Sequence, residues 1–434
     1  MDLNGKLNLT EKAIKSRNII SALAGYFRQQ SKLVTDRALF VNELASERES
    51  NPEADVNIAP NGKPYRTYNK TEMLKELGLQ RGSRQLDNLV KRLGLDPANS
   101  PYGGQWTVNL LERNQIKEAY GLLEPFERAG GQKCAIFGIS NLKGGSGKTT
   151  LSTLLATGLA IESRRKFRIA VIDLDPQGTA TRILLPNVEV GNGNADYVSV
   201  GDLLVEERLE IDYSDDEQYK EVVRSAFLET NADNLKVLPA NIADTDFELQ
   251  SKHKAINDRS YASFKPLQRL ITQIEDDFDL IIIDTPPALN EICIAAHFVS
   301  THLFIPLRAS ENDRDSTGKY LGGFEMLYDL MLAYGHQGYE EIKLVPTAID
   351  RRSSSELEVE QSLRLGLMSY VTESIAASEA IKNTNKDLNT IFDISPSCYS
   401  GKNSTCESAQ SSSLVFIRSI EVILSNYWKL GVHI

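Results

Sequence analysis

The chain of 434 residues is long enough for two or three domains, and its 41% apolar and 25% charged residues are typical of globular proteins. No apolar run approaches the roughly 20 residues that span a bilayer, no secretory signal opens the chain, and four scattered cysteines argue against a disulfide framework or zinc site. The net charge of −11 divides into +3 for residues 1–130 (19 Lys and Arg, 16 Asp and Glu) and −14 for the remainder (29 and 43), so any nucleic-acid contact must come from local basic patches.

The first segment, residues 10–48, is predicted to be helical. Apolar residues recur along it at roughly helical spacing, at Ile14, Ile19, Leu23, Phe27 and Leu33. The helix lacks a tight core of its own, and two partners stay open: another subunit, or the next domain of the same chain. A polar stretch rich in Pro and Asn follows at 49–64. We therefore assign residues 1–59 to a dimerisation arm and linker.

The second segment, residues 60–130, carries the pattern of a helix-turn-helix. A short helix is predicted over 71–77, ending at Gly78, and Ser83 can cap a second helix that runs to Leu93. One face of the second helix is apolar, and the other presents Arg84, Gln85, Asn88 and Lys91. Arg, Gln and Asn read base edges in the major groove. The open alternative is a small helical hairpin with a solvated polar face.

Two further elements would complete a winged module. Residues 103–108 read as a strand of a wing, and residues 111–122 read as a following helix.

The third segment, residues 131–434, alternates apolar runs with helical patterns. This alternation predicts an α/β fold with a doubly wound, mainly parallel sheet, whose ligands bind at the carboxyl ends of the strands. The predicted strands are 134–140, 168–173, 235–239, 279–284, 301–307, 342–348 and 367–371.

A glycine-rich loop follows the first of these strands, and a helical pattern starts at its end. Strand, loop and helix start form the context of a phosphate-binding loop, here KGGSGKTT. Backbone N–H groups and the helix N-terminus attract phosphate, Lys148 can reach the β- and γ-phosphates, and the Thr149 hydroxyl can bind Mg²⁺. We expect nucleotide contacts from Lys143, Gly144, Gly145, Ser146, Gly147, Lys148, Thr149 and Thr150.

Carboxylates end two of the predicted strands. Asp173 and Asp175 follow one apolar run, and Asp284 follows another. A carboxylate at the end of a buried strand is costly unless it meets a cation or hydrogen-bond donors. We expect Asp284 to hold Mg²⁺, through water, and Asp173 to orient either Mg²⁺ or the loop.

The loop departs from the strict phosphate-loop pattern, because Leu142 stands at the first glycine position and a second lysine, Lys143, precedes the glycine pair. KGGSGKTT, DLDPQG and DTPP, in this order, resemble the deviant Walker A ATPases of the ParA/MinD superfamily. The N-terminal extension with its helix-turn-helix resembles the larger, SopA-like subgroup of partition proteins.

This resemblance implies an ATPase that hydrolyses ATP to ADP slowly with Mg²⁺. Lys143 would reach across a homodimer to the partner's nucleotide, and Asp175 would position the attacking water; with Lys148 they form the expected catalytic set. The resemblance also implies a ParB-like centromere-binding partner, operator binding with autorepression, and a nucleoid-associated bacterial protein that assembles into a dimer or a filament on DNA.

The ATP-bound dimer would bind DNA without sequence preference. Phosphate contacts are expected from exposed cations of the ATPase domain, at Arg351, Arg352, Lys382, Lys386 and Lys402.

Three rival interpretations remain. A nucleotide-regulated transcriptional repressor would bind nucleotide without hydrolysis, but Asp175 and Asp284 favour hydrolysis. A MinD-like membrane-surface ATPase needs a basic amphipathic C-terminal helix, and the last 23 residues hold only Arg418 and Lys429 as cations. A nitrogenase-reductase or metal-insertion relative needs bridging cysteines, which the expected loops lack.

Overall fold

The computed structural model describes residues 10–31, 58–80, 82, 84–100, 106–188, 190, 197–205, 208–209, 211–213, 215–258 and 261–430. The N-terminal part contains α1 (Glu11–Ser31), β1 (Thr67–Asn69), α2 (Lys70–Glu76), α3 (Arg84–Arg92), β2 (Thr107–Asn109), α4 (Leu110–Tyr120) and β3 (Glu124–Pro125). Strands β1 and β2 pair antiparallel. The predicted helices lie where expected to within a residue or two. Ser83 and residues 103–105 of the predicted wing strand lie outside the described residues, and the rest of that strand overlaps β2.

The C-terminal part alternates strands with helices. Its first half contains β4 (Ala135–Ile139), α5 (Lys148–Glu162), β5 (Arg165–Lys166), β6 (Ile169–Asp173), α6 (Thr179–Leu184), α7 (Val200–Leu204), α8 (Asp216–Ser225), β7 (Leu228–Glu229), β8 (Leu235–Leu238), α9 (Asp246–Asn257) and α10 (Lys265–Ile274). Its second half contains β9 (Leu280–Asp284), α11 (Glu291–Val299), β10 (His302–Arg308), α12 (Glu311–Ala333), β11 (Glu341–Thr347), α13 (Ser354–Leu367), α14 (Glu379–Lys386) and α15 (Asn403–Tyr427).

The main sheet has seven strands in the order β11-β10-β4-β9-β6-β8-β7, all parallel except the edge strand β7. The predicted mainly parallel α/β sheet is therefore confirmed. Alternate residues of β4 point to opposite faces, because Phe137 and Ile139 join one core cluster and Ile136 joins another. Helices cover both faces, and the carboxyl ends of β4, β6 and β9 meet at one edge.

One predicted strand, 367–371, is wrong. Helix α13 continues to Leu367, and a short 3₁₀ turn follows at Met368–Tyr370. The cause is helical spacing: Leu363 and Leu367 are four residues apart and both are buried against the sheet. Val371 pairs with the sheet only through an isolated bridge to Leu344.

Helix α1 packs against α12 of the chain's own third segment, residues 131–434, and not against the next segment, residues 60–130, that was its predicted partner within the chain. Ile20 and Leu23 are fully buried in the same cluster as Phe324. Arg17 forms an ion pair with Asp329 at 2.7 Å along the rim of this contact. Residues 32–48 of the predicted helix lie outside the described residues, and its role as a dimerisation arm stays a prediction. No helix in the described ranges is long and apolar enough to cross a membrane.

Candidate nucleotide-binding site

The loop between β4 and α5 has the backbone of a phosphate cradle. Gly145 and Gly147 have φ of 75° and 98°, a left-handed conformation that side chains rarely adopt. A Cβ on Gly147 would also lie 3.2 Å from Thr347 Oγ1, which itself donates a hydrogen bond to the Ser146 carbonyl at 2.7 Å. Ser146 Oγ is buried and has no hydrogen-bond partner in the described part of the chain. This loop therefore offers an unsatisfied donor where a phosphate would lie.

Lys148 is largely buried at the start of α5. Its Nζ donates to the Lys143 carbonyl at 3.3 Å, so it lies folded over the loop. Burial lowers the pKa of Lys148, and Asp284 and Asp175 oppose that shift by attracting its charge. An ammonium group that is already desolvated among carboxylates is well placed to bind a phosphate.

Asp284 lies at the end of β9, directly beside α5. Its Oδ2 accepts a hydrogen bond from Thr149 Oγ1 at 2.8 Å, and its Oδ1 accepts one from Ser152 Oγ at 2.7 Å. The carboxylate is fully buried, and desolvation raises its pKa. A hydroxyl and a carboxylate oxygen, adjacent and without a protein cation in hydrogen-bond contact, are the ligand chemistry that Mg²⁺ takes in nucleotide sites. The donor set fits the predicted cofactor.

Asp173 is also fully buried, and the structure favours the second of its two predicted roles. Its Oδ1 accepts from the Asp175 backbone N–H at 3.1 Å, and its Oδ2 accepts from both the N–H and the hydroxyl of Thr181 at 2.8 Å. Burial and the neighbouring Asp284 raise the pKa of Asp173. Both oxygens are thus occupied in ordering the loop that carries Asp175.

Asp175 is half-buried and lies near the phosphate loop. Its Oδ1 accepts the Gln177 N–H at 3.0 Å, which closes a tight turn, and its charge partly offsets the burial that lowers the pKa of Lys148. The position agrees with the predicted role of orienting a water molecule, a role that stays a prediction.

Lys143 makes a contact that the sequence reasoning missed. Its Nζ lies 2.9 Å from Asp313 Oδ2, at the start of α12, and the lysine side chain is one-third exposed. Asn141 holds the loop in place, since its amide donates to the Pro306 carbonyl at 2.8 Å and its Oδ1 accepts the Lys143 N–H at 3.2 Å. The only signal in the sequence was an acidic residue shortly after the IPL strand, with no rule to link it to the loop.

The predicted base-reading residues form one exposed face of α3. Arg84, Gln85, Asn88 and Lys91 are all exposed, while Leu86, Leu89 and Val90 are buried on the opposite face. A salt bridge of 2.5 Å between Lys70 and Asp87 ties α2 to α3.

The predicted phosphate contacts of the ATPase domain are less uniform. Several are engaged in ion pairs: Arg351 with Glu360 at 2.9 Å, Arg352 with Asp350 at 3.1 Å, and Lys382 with Glu379 at 2.8 Å. The other two predicted contacts, Lys386 and Lys402, lie in different parts of the domain. Lys386 is exposed at the end of α14, whose Asn385 donates to Thr150 at 3.3 Å, and Lys402 is exposed just before α15.

Comparison with known proteins finds similarity in the part of the chain that holds the candidate nucleotide site. Residues 134–318 match the family model described as the AAA domain. The chain is 32% identical over 176 residues to the sporulation initiation inhibitor protein Soj of Bacillus subtilis, covering 40% of this chain and 58% of Soj.

Two further curated relatives are similar to part of the chain. A putative replication protein A of Rhizobium rhizogenes is 28% identical over 200 residues, 45% of each chain. The virulence plasmid ParA family protein pGP5-D of Chlamydia psittaci is 28% identical over 167 residues, 38% of this chain and 54% of the relative. The chain thus spans about half the length of the curated relatives it matches.

A solved structure described as a partition protein shares the fold. It aligns with a TM-score of 0.57 at 17% identity, covering 84% of this chain and 93% of its own. At this identity the likeness establishes the fold alone. Residues 134–318 therefore match an AAA domain model, and part of the chain is similar to Soj and to a ParA family protein.

Proposed function

We propose that the chain is a partition ATPase of the ParA/MinD type, which hydrolyses ATP to move or position DNA in the bacterial cytoplasm. The observation that carries the proposal is that the two lysines of the phosphate loop make different contacts. Lys148 folds over the loop where its own nucleotide would lie, whereas Lys143 points away to Asp313. The similarity to Soj and to a ParA family protein supports the same reading.

The residues of the site divide the work on ATP. Loop N–H groups, Ser146 and Lys148 bind and orient the phosphates. Thr149 and Asp284 would hold Mg²⁺, which supplies charge neutralisation at the phosphates when bound. Asp175 orients the attacking water, and Asp173 holds Asp175 in position through the backbone. A lone carboxylate that positions water gives slow hydrolysis, as in nucleotide switches that depend on a partner.

Lys143 makes the site depend on a second subunit. In the monomer its charge is neutralised by Asp313, and it has to exchange this partner for the phosphates of the facing subunit. ATP supplies the extra negative charge of the γ-phosphate that favours the exchange, and ADP does not. The ATP form is therefore a dimer, and hydrolysis returns the protein to monomers.

The two DNA-binding tasks belong to different parts of the chain. The exposed face of α3 binds the operator and represses the partition genes, as a winged helix-turn-helix of the SopA-like subgroup would. The ATP dimer binds DNA without sequence preference through cations such as Lys386, near the nucleotide loop. A ParB-like centromere-binding protein stimulates hydrolysis. The dimers assemble on the nucleoid, and dimers that bind side by side along DNA form filaments.

A second candidate is a nucleotide-regulated transcriptional repressor, which the exposed α3 face favours. The membrane-surface alternative has less support, because Phe416, Ile417, Ile420 and Leu424 of α15 are all buried in the core.

Electron microscopy of the protein on DNA tests the proposal and separates these functions. A partition ATPase should coat non-specific DNA with Mg²⁺ and ATP and release it with ADP. A nucleotide-regulated repressor should occupy only operator-containing DNA, to a different extent with ATP and with ADP. DNA that stays bare with ATP at protein excess would contradict the partition reading.

A further inference from the structure

The N-terminal module docks on the ATPase domain through buried charges. Arg66 Nη1 lies 3.2 Å from Glu162 Oε1, and Arg113 bridges Glu162 Oε2 at 3.5 Å and Glu76 Oε2 at 2.7 Å. The two arginine side chains are 8% and 1% exposed. Their guanidinium groups lie 4.7 and 4.9 Å from the centre of the Tyr68 ring. We name these four charged residues, Arg66, Glu76, Arg113 and Glu162, the ionic bracket.

The ionic bracket joins the ends of two functionally distinct helices. Glu162 is the last residue of α5, the 15-residue helix that begins at Lys148, and Glu76 is the last residue of α2. Arg113 Nη1 also donates to the Ile161 carbonyl at 2.6 Å, so one guanidinium caps the C-terminus of α5. A helix of this length spans about 22 Å, and a tilt at its phosphate end displaces its far end.

A second connection runs through α14 and the segment that follows it. Asn385 of α14 donates to Thr150 in the first turn of α5 at 3.3 Å, and Thr390 after α14 hydrogen-bonds Thr157 of α5 at 2.9 Å. Three residues later, Asp393 forms an ion pair of 2.8 Å with Lys63, with both side chains at most 2% exposed.

The same segment also holds β1. The Phe392 carbonyl accepts from Arg66 at 3.2 Å, and Ser395 Oγ donates to the Thr67 carbonyl. The N-terminal module therefore contacts α5 directly and also a segment that itself hydrogen-bonds α5.

The ionic bracket is not fully satisfied in this arrangement. Arg66 Nε and Tyr68 Oη are buried and have no hydrogen-bond partner in the described residues. A buried donor without a partner is costly, so an arrangement that satisfies it would be favoured. Arg113 already lies between two carboxylates, Glu76 at 2.7 Å and Glu162 at 3.5 Å, so a change in their spacing would change which of them it pairs with. A two-state link requires such an exchange of partners.

We propose that the ionic bracket transmits the nucleotide state of the loop to helices α2 and α3, and thereby regulates DNA binding by the α3 face. The regulatory part rests on the proposed function, whereas the mechanical link between the two helices does not. Nucleotide binding shifts α5, the shift changes which carboxylate Arg113 and Arg66 share, and α2 follows through Glu76. Residues of the bracket are positioning residues and touch neither ATP nor DNA.

Hydrogen–deuterium exchange of the full-length protein tests the link without DNA. Mg²⁺ with ADP, and separately with a non-hydrolysable ATP analogue, should change exchange in the first turn of α5 and in α2–α3. We expect the rates in α2–α3 to change by about fivefold or more between nucleotide states, the lower end of typical coupling. The variant Glu162→Gln should keep the response in the first turn of α5 and lose it in α2–α3.

Glu118→Gln is the matched control. Glu118 also joins the module to the ATPase domain, at 3.2 Å from Lys166, but it is exposed and lies outside the bracket. This variant should behave as wild type. If Glu162→Gln does not fold, Arg113→Lys keeps the charge and loses the fork, and it should likewise uncouple the two regions.

Each outcome has a distinct meaning. An α2–α3 response that persists in the folded bracket variant, or that is absent from the wild type while α5 responds, overturns the proposed link. If nucleotide does not change exchange in the first turn of α5 of the wild type, the result contradicts the nucleotide site instead of the link. Operator affinity measured with and without nucleotide in the same variants reports the regulatory part, and an unchanged nucleotide dependence in Glu162→Gln would reject it.

Discussion

The two ends of strand β9 carry two buried aspartates, and only one of them is paired directly with cations of the protein. Asp279, just before the strand, accepts hydrogen bonds from Arg168 at 2.7 Å and from Arg128 at 3.2 Å. Asp284, at the other end, accepts hydrogen bonds only from the hydroxyls of Thr149 and Ser152 among the described residues. The first carboxylate is neutralised by the protein itself. The second is buried without a direct cation, and this deficit marks the carboxyl edge of the sheet as the place where a cation and phosphates bind.

The largest expected effect comes from removing the cation that the chain does bring to this edge. Lys148→Ala should weaken ATP binding by at least about a hundredfold, because an ammonium–phosphate contact is worth roughly 3 kcal/mol. Isothermal titration calorimetry with Mg²⁺ and ATP measures the change. Lys143→Ala is the control and should bind ATP as wild type in the monomer. Wild-type affinity for ATP in Lys148→Ala would mean that the loop does not bind the phosphates.

The next effect separates binding from chemistry at the same edge. Asp175→Ala should bind ATP and dimerise but hydrolyse about a hundredfold more slowly, since proton and water positioning typically contribute 10²–10⁴-fold. Phosphate release with and without DNA is the readout. Asp175→Asn keeps the turn to Gln177 and isolates the charge. Normal turnover in both variants would exclude Asp175 from the mechanism.

The two aspartates can be compared directly by the same substitution. Asp279→Asn should lower the free energy of unfolding by about 3–5 kcal/mol, because it leaves two arginines without their shared carboxylate. Asp284→Asn, measured without Mg²⁺, should leave stability unchanged or raise it. Chemical denaturation of both variants gives the two values.

The pH dependence of the comparison has a defined sign. Burial raises the pKa of Asp284 above that of an unfolded carboxyl. Above about pH 4 the folded state therefore keeps a proton that the unfolded chain has already lost. The wild type should therefore lose stability relative to Asp284→Asn as the pH rises towards 7, and Mg²⁺ should remove the difference. Equal losses in Asp279→Asn and Asp284→Asn at pH 7 would contradict the contrast between the two ends.

A moderate effect is expected at the exposed face of α3. Arg84→Ala should weaken operator binding by about 1–3 kcal/mol and leave ATP-dependent binding to non-specific DNA unchanged. Gel shifts on the two DNAs, with Lys75→Ala as a charge-matched control on α2, measure both. Equal loss on both DNAs in Arg84→Ala would contradict the division of labour.

The smallest effect concerns the pair at the rim of the site. Asp313→Asn should release Lys143 and strengthen ATP-dependent dimerisation by up to about 1 kcal/mol, roughly fivefold, since an ion pair with a partly exposed lysine is weak. Sedimentation equilibrium with Mg²⁺ and ATP checks it. Weaker dimerisation in Asp313→Asn would mean that Asp313 orients Lys143 instead of competing for it.

The sequence could predict the sheet and the nucleotide loop because both are local signals. Six predicted strands coincide with observed ones to within two residues, since each is a short, continuous apolar run. Glycines, lysines and strand-terminal acids also predicted a site at the carboxyl ends of β4, β6 and β9, and the structure brings Lys148 and Asp284 together there, while their roles stay predictions. The failure at 367–371 arose where an apolar run was too short to separate strand from helix, and the spacing of Leu363 and Leu367 decided for helix.

The long-range ion pairs could not be predicted in the same way. Lys143 and Asp313 are 170 residues apart, and Arg66, Arg113 and Glu162 come from three elements with no shared pattern. Periodicity reports which face of an element is buried, and it does not report which buried charge meets which. The docking of the N-terminal module through charges became visible only in the folded chain.

The central claim is that ATP closes a dimer through Lys143. Light scattering coupled to size-exclusion chromatography tests it with one pair of proteins, wild type and Lys143→Ala. The account predicts that wild type changes from 48.3 kDa with Mg²⁺ and ADP to about twice that mass with a non-hydrolysable ATP analogue, while Lys143→Ala binds the analogue and stays a monomer. Dimerisation of Lys143→Ala equal to that of wild type would contradict it.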